Sequence, residues 1–235
     1  MSHATSAAFD PAPLREAEEQ TYRKVTVRIV PFLLFFCYLA AYLDRVNVGF
    51  AKLQMLRELG FSETVYGFGA GIFFLGYVLF EVPSNVIMHR VGARIWIARI
   101  MITWGLISGA MVFVQTPVTF YVLRFLLGVA EAGFIPGILL YLTYWYPASR
   151  RGRITAIFLA AIPMASIFGG PVSGWILNAV SGARGLSGWQ WLFLLETIPS
   201  LVLGIATLLY LDDRVASAKW LNAQEKRIIA ADISR

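Results

Sequence analysis

Arg124 and Glu131 stand seven positions apart in the stretch RFLLGVAEAGFIPG, which runs from Arg124 to Gly137 inside the otherwise apolar residues 118–141. That span is long enough to cross a bilayer core of roughly 30 Å. A helix advances about 1.5 Å and 100° per residue, so the two side chains share one face about 10 Å apart, with Gly128 between them. Charged groups at membrane depth are costly, point into a bundle interior or a watery cavity, and by default mark a functional site. A second constellation, Tyr42-Leu43-Asp44-Arg45-Val46-Asn47, lies near the end of the first apolar span. Counting residues along the helices puts Asp44, Arg45 and Arg124 at comparable depth, with Glu131 deeper. Two guanidiniums outnumber what Asp44 neutralises, which leaves one for an anionic ligand that takes two parallel hydrogen bonds. A carboxyl withdrawn from water resists ionisation, so Glu131 is the candidate for holding and releasing a proton, as in a proton-coupled carrier. The competing reading is a set of satisfied ion pairs that only fix helix packing.

Composition decides what must position these groups. The 235 residues are 58% hydrophobic, with mean hydropathy +0.66 and only 14% charged side chains, against about 25% charged in soluble domains. The expected class is an all-α integral membrane protein. Its net charge of +6 does not point to nucleic acid, because the basic residues fall between apolar spans, where they set topology. No Walker loop, GxGxxG with a following acid, HExxH or GxSxG is present, and no nucleophile has a base at useful spacing. His3 lies in the tail and His89 at an interface, so an enzyme, a metal and a cofactor are not expected. The lone Cys37 admits no internal disulfide.

Residues 1–24 are polar and read as a disordered cytoplasmic tail, with acidic residues where a signal peptide would carry its basic start. Six spans follow at about 27–50, 65–87, 95–115, 117–142, 154–179 and 189–211. Ser62 is placed to cap the second and Pro117 to open the fourth after Thr116. Arg23, Lys24 and Arg28, then His89, Arg90 and Arg94, then Arg150, Arg151 and Arg153, then Arg214 and Lys219 alternate with uncharged or mixed loops. Both termini are therefore expected in the cytoplasm of a multi-pass cell-membrane protein. Glycines 67, 69, 71 and 76, 133 and 137, and 169, 170 and 174 read as small-residue helix contacts, and Pro163, Pro171 and Pro199 as kinks that neighbouring helices accommodate. Residues 212–235 turn polar again, with Trp220, Leu221, Ile228 and Ile229 set for a short amphipathic interfacial helix.

Several motifs together resemble the anion:cation symporter family of the major facilitator superfamily. They are Tyr42-x-Asp44-Arg45-x-Asn47; Pro83-Ser84-Asn85 with His89-Arg90-Val91-Gly92-Ala93-Arg94; Arg124 through Gly128 and Glu131 to Gly133; Tyr146-Pro147 with Arg150-Arg151-Gly152-Arg153; and Gly188-Trp189-x-Trp191-x-Phe193-x-x-Glu196. The resemblance implies one six-helix bundle of two inverted three-helix repeats over 25–211, followed by the start of a central cytoplasmic linker at 212–235. It implies that Asp44 and Glu131 are the protonatable carboxylates, that Arg45 contacts the substrate carboxylate, and that Arg124 pairs with Asp44. Tyr77 is a candidate cavity-lining residue, with packing as the alternative. In the loop that resembles the superfamily's GxxxDRxGRR gate, Asn85 and His89 replace the glycine and the aspartate, while Arg90, Gly92 and Arg94 are kept. The usual carboxylate-centred latch is therefore not expected.

Such carriers consist of two bundles that rock about a central cavity, and this chain supplies one. A fragment, a truncation and a split half are all compatible with it, and the bundle alone is not expected to transport. The implied partners are a small organic carboxylate, protons, the lipid bilayer and a C-terminal six-helix bundle. An anion exchanger or channel, or a non-transporting membrane scaffold, are the alternatives.

Overall fold

In the computed structural model, residues 12–234 are described, and all regular structure among them is helical. The helices are α1 (Ala12–Val30), α2 (Leu39–Leu59), α3 (Glu63–Val91), α4 (Ala93–Ala110), α5 (Pro117–Glu131), α6 (Phe134–Thr143), α7 (Ala148–Leu159), α8 (Ala161–Ala179), α9 (Gly188–Tyr210) and α10 (Ala223–Ile233). A π-helical stretch, Pro31–Tyr38, joins α1 to α2 and starts at a proline that has no N–H to give the preceding turn. Six spans are long and apolar enough to cross a membrane: Arg15–Leu59, Glu63–Val91, Ala93–Phe113, Pro117–Thr143, Ala148–Ala179 and Gly188–Tyr210. They form one bundle in which α3 packs along α5, α4 along α9, and α2 against α8 and α9.

The local signals act as their chemistry dictates. Val65 N–H donates to Ser62 Oγ at 3.2 Å to start α3, and Thr116 and Thr119 close a reciprocal cap in front of Pro117. The start of the chain differs from expectation. Residues 1–11 lie outside the described residues, but α1 begins at Ala12, within the stretch read as a disordered tail. Contacts from distant parts of the sequence hold it there. Arg150 Nη2 donates to Glu18 Oε1 at 2.6 Å, Tyr22 Oη to Asp232 Oδ2 at 3.2 Å, and Lys24 Nζ to Glu225 at 3.0 Å.

Two apolar clusters stack along the bundle. One, toward the end that carries both termini, includes Ile97, Trp104, Leu127, Phe134 and Trp145. The other, toward the opposite end, includes Val48, Met55, Phe120, Trp189 and Phe193. The close α3–α5 contact runs through glycines on both helices. A Cβ on Gly128 would strike the Phe73 carbonyl, and one on Gly69 the Phe120 ring, whereas Gly71 faces open space. Gly128→Ala is expected to destabilise the bundle by about 1–3 kcal/mol through overpacking against backbone. Gly71→Ala should be neutral or gain up to about 1 kcal/mol of helix propensity, and reversible unfolding in mixed micelles reads both.

The segment after α9 folds back. Asn222 caps α10, accepting from Glu225 N–H at 2.8 Å while Asn222 N–H donates to Glu225 Oε2 at 2.7 Å. Burial alone would raise the Glu225 carboxyl, but the Asn222 N–H and Lys24 outweigh it and hold the group below its ordinary value. A carboxyl depressed in the folded state contributes stability that is complete above its unfolded value of about 4.3 and is lost as pH falls through the lower folded value. Hydrogen exchange across 223–233 should therefore show protection, corrected for intrinsic rate, that is flat near neutral pH and falls only in acid. Lys24→Ala should flatten that fall.

Candidate functional site

Between the two apolar clusters lies a layer of buried polar side chains. On α2, Ala41 joins one cluster and Val48 the other; on α5, Leu127 and Phe120 do the same; on α9, Leu203 and Phe193. The residues between those positions include Asp44 and Asn47, Arg124, and Glu196, Thr197 and Ser200, all buried. Ser108 of α4 and Ser173 of α8 are fully buried as well, and Glu131 at the end of α5 is 1% exposed.

Glu131 owes its position to a break in the fourth span. α5 stops at Glu131, and Gly133 takes φ 86°, a left-handed conformation that side-chain-bearing residues rarely adopt. Its missing Cβ is also required, because that position is filled by Ser84 Oγ of α3, which in turn accepts from Trp96 Nε1 at 2.9 Å. The sequence reads this span as one uninterrupted helix. The break leaves Glu131 at the mouth of a turn, and from there its carboxylate meets Arg45. Arg45 Nη2 and Nε donate to Glu131 Oε2 at 2.8 and 3.3 Å. The guanidinium also lies 5.0 Å from the centre of the Tyr77 ring, and its side chain keeps 28% exposure. Tyr77 therefore flanks the charged pair.

The expected Asp44–Arg124 ion pair is not formed. Arg124 Nε donates to the Gly69 carbonyl at 3.3 Å, its guanidinium lies 4.7 Å from the Phe73 ring centre, and its Nη1 has no hydrogen-bond partner among the described residues. Asp44 is turned elsewhere. Its Oδ1 accepts from Ser108 Oγ of α4 and, at 3.4 Å, from Asn47 Nδ2. Phe73 lies within cation–π range of both arginines, at 4.7 Å from Arg124 and 5.8 Å from Arg45. The ion pair of the site is thus Arg45–Glu131, and the guanidinium without a carboxylate is Arg124 instead of Arg45.

The loop between α3 and α4 gathers the gate candidates. His89 and Arg90 are exposed, with His89 Nδ1 3.2 Å from Tyr144 Oη, and Asn85 Nδ2 donates to the Glu81 carbonyl at 2.8 Å. A carboxylate does serve this loop, but it comes from a place the motif does not name. Asp213, just beyond α9, accepts from the backbone N–H of Arg94 at 2.8 Å and fills the space beside Gly92. It caps α4 from outside the helix, with the Arg94 side chain 3.9 Å from its other oxygen.

Sequence reasoning gave Glu196 no role beyond its place in a motif, and none to Ser108 or Ser173. Glu196 had a usable signal, since it stands seven residues after Trp189 on the same face of α9, and Trp189 is a large apolar group bound for the core. Asp213 had none, because its role depends on a fold-back. Among the described residues no group of three or more His, Cys, Asp or Glu side chains is placed to hold a metal ion. A hollow of about 690 Å³ opens near the termini, lined by residues that include Arg23, Tyr22 and Arg150, and it is separate from the charged layer.

Six apolar spans around a buried layer of acids and guanidiniums mark a multi-pass membrane protein. The pattern of the Major Facilitator Superfamily matches residues 34–233, and the chain belongs to that superfamily. It is 61% identical over its whole length to NicT of Pseudomonas putida, a protein named for metabolite transport, and covers 53% of it. It is 58% identical over 90% of its length to a protein of Agrobacterium vitis named for tartrate transport, covering 48% of that one. It is also 39% identical to the inner membrane transport protein RhmT of Escherichia coli over 88% of its length, covering 48% of RhmT. The chain therefore spans about half the length of these relatives, as their N-terminal half. Its fold matches a bacterial homologue of the human lysosomal transporter Spinster, in an inward-facing and unoccupied conformation, with a TM-score of 0.67 at 17% identity. That match covers 84% of this chain and 44% of the other.

Removing the Asp213 carboxylate frees the first turn of α4. For Asp213→Ala, amide exchange at 94–96 is expected to quicken by about fivefold, the equivalent of a helix cap of about 1 kcal/mol. Asp213→Asn, which keeps an acceptor, should recover most of the protection.

Proposed function

We propose that the chain is the N-terminal bundle of a proton-coupled symporter of the anion:cation type, which imports a small organic carboxylate by alternating access. The observation that carries this reading is the Arg45–Glu131 pair beside an Arg124 that no carboxylate neutralises. An organic anion approaching Arg45 competes with Glu131 for the same guanidinium. Breaking a buried pair while both groups stay charged costs about 3–5 kcal/mol. Protonating Glu131 removes that cost, because the neutral acid no longer needs Arg45. Proton and anion therefore promote each other's binding, and this reciprocity is the thermodynamic content of symport. Asp44, without a cation of its own, is the second group able to take a proton from this layer.

The names of the relatives, metabolite and tartrate transport among them, support a carboxylate cargo. The clustering of Arg23, Lys24, Arg150, Arg151, Arg153 and Lys219 at the end that carries both termini supports a cytoplasmic position for that end in the cell membrane. Protons then enter from the outer side. The other wall of the cavity belongs to a second six-helix bundle, joined through the segment that begins at 212.

The test is uptake of labelled tartrate and other small carboxylates into proteoliposomes that contain the full-length carrier, driven by an imposed inward proton gradient. Wild type should concentrate at least one of these acids. Glu131→Gln should let it equilibrate while accumulation falls by about tenfold or more. Continued accumulation by Glu131→Gln would remove Glu131 from the coupling, and gradient-independent flux in the wild type would make the protein an exchanger or a channel.

A further inference from the structure

Arg99 is a cation that the charged layer does not use. It stands in α4, about 9 Å along the span that begins at Ala93 and ends at Phe113. Ser108, the α4 residue that donates to Asp44, lies nine positions further on. At about 100° per residue that separation is half a turn, so Arg99 points away from the layer. Ile95 and Leu106, which share the outward stripe with it, are 44% and 57% exposed, whereas Ile97, Ile100, Met101 and Trp104 on the inward face are buried. In a multi-pass membrane protein such a stripe meets lipid. The guanidinium is nevertheless held in a defined position. It lies on the face of Trp96, 3.9 Å from the ring centre. Trp96 is fixed in turn, because its Nε1 donates to Ser84 Oγ of α3 at 2.9 Å. Arg99 Nε is buried without an acceptor, and among the described residues no carboxylate pairs with the group. Its hydrogen bonds are left to the two Nη groups.

A charged side chain on a lipid-facing stripe extends its head toward the interface and needs a counter-charge there. The protein supplies none, and the bilayer does. Phospholipid phosphates lie at the interface above an arginine of this depth, and a guanidinium takes a phosphate by two parallel hydrogen bonds. Arg90 and Arg94 add two cations at the same end of α4, against Asp213, which caps that helix, and Asp212, whose carboxylate accepts from Trp220 Nε1 at 2.8 Å. The excess charge is positive and favours a headgroup that bears net negative charge. We propose that Arg99, laid on Trp96, is a headgroup site for an anionic phospholipid in the leaflet at the end that carries both termini. The lipid chains then run along the apolar stripe past Leu106. A soluble organic anion fits this place poorly, because the residues that share the stripe with Arg99 are apolar and the group lies inside the span. The site requires only that α4 crosses the bilayer, and it is independent of proton coupling.

Native mass spectrometry of the protein released from detergent micelles reads the site without reference to uptake, with phosphatidylglycerol and phosphatidylethanolamine offered at equal concentration. Wild type should retain phosphatidylglycerol in preference. Arg99→Gln should weaken that retention by about tenfold, the size of one charge-assisted contact. Arg99→Lys keeps the charge without the planar fork and should recover part of the loss, while Arg184→Gln, in the exposed loop between α8 and α9, should change nothing. Phosphatidylglycerol with a photoactivatable group beside its headgroup should label residues 95–106 of the wild type, and this measurement carries the test if Arg99→Gln does not fold. Retention unchanged in the folded Arg99→Gln overturns the proposal, since the guanidinium then only reaches for water, and so does labelling confined to other helices. Equal retention of phosphatidylethanolamine overturns the anionic preference, and displacement of the lipid by inorganic phosphate at matched concentration overturns the lipid as occupant. A carrier that fails the proton-gradient test above loses the proposed function and keeps this site.

Discussion

An ionised side chain taken out of water costs several kcal/mol even after the protein relaxes around it, and the middle of this bundle holds five ionisable ones: Asp44, Arg45, Arg124, Glu131 and Glu196. Each is accommodated by different means. Arg45 and Glu131 neutralise each other, Arg124 leans on the Gly69 carbonyl and the Phe73 ring, and Asp44 and Glu196 take hydroxyl donors from α4 and α8. The remaining architecture serves this arrangement. Apolar clusters close it toward both ends of the bundle, and the tight α3–α5 seam puts Phe73 where it meets both arginines. Pairing by itself adds little stability, since a hydrophobic replacement of similar volume is often neutral or better.

A run of contacts connects this layer to the end that carries the termini. Asp213 caps the first turn of α4; Trp96, in that turn, donates to Ser84; Ser84 fills the space at Gly133; and Gly133 forms the break that ends at Glu131. The segment beyond α9 is itself pinned there. Arg28 lies 4.5 Å from the Tyr210 ring centre and 4.9 Å from that of Trp220, and Trp220 stacks on Trp145 at 5.6 Å. The segment after α9 is thus packed into the bundle through aromatic and charged groups, and the helix that carries Glu131 ends on a brace two contacts away from it.

What the sequence made legible, and what it did not, divides along one physical line. Six apolar spans, the Ser62 and Thr116 caps and the membership of Asp44, Arg45, Arg124 and Glu131 in one site depend on composition, turn chemistry and spacing along a single helix. Those are local quantities. The identity of the ion pair depends on how α2, α3 and α5 rotate against one another, and a rotation of one residue, about 100°, is enough to exchange Arg124 for Arg45 as the partner of an acid. The break after Glu131 needed Ser84 from another helix, and α1 needed Asp232, Glu225 and Arg150 from the far end of the chain and from α7. The carboxylate at the gate loop was absent from its motif because Asp213 brings it in from beyond α9.

The charges of the layer also constrain what can enter it. With every group ionised, three carboxylates face two guanidiniums, and the layer carries one net negative charge. An organic anion is repelled by that state. On the proposed reading one proton makes the layer neutral, the arrangement that low dielectric favours. On the proposed reading, admitting a monocarboxylate to Arg45 then requires a further proton, the one that releases Glu131, and a dicarboxylate requires still another if the layer is to stay neutral. Arg124 is equipped for that role by the features that set it apart here, a buried guanidinium with an unused Nη1 and no carboxylate in contact. On that reading Glu131 and Arg45 govern whether an anion enters, and Arg124, with no carboxylate in contact, is the group placed to meet a second anionic charge.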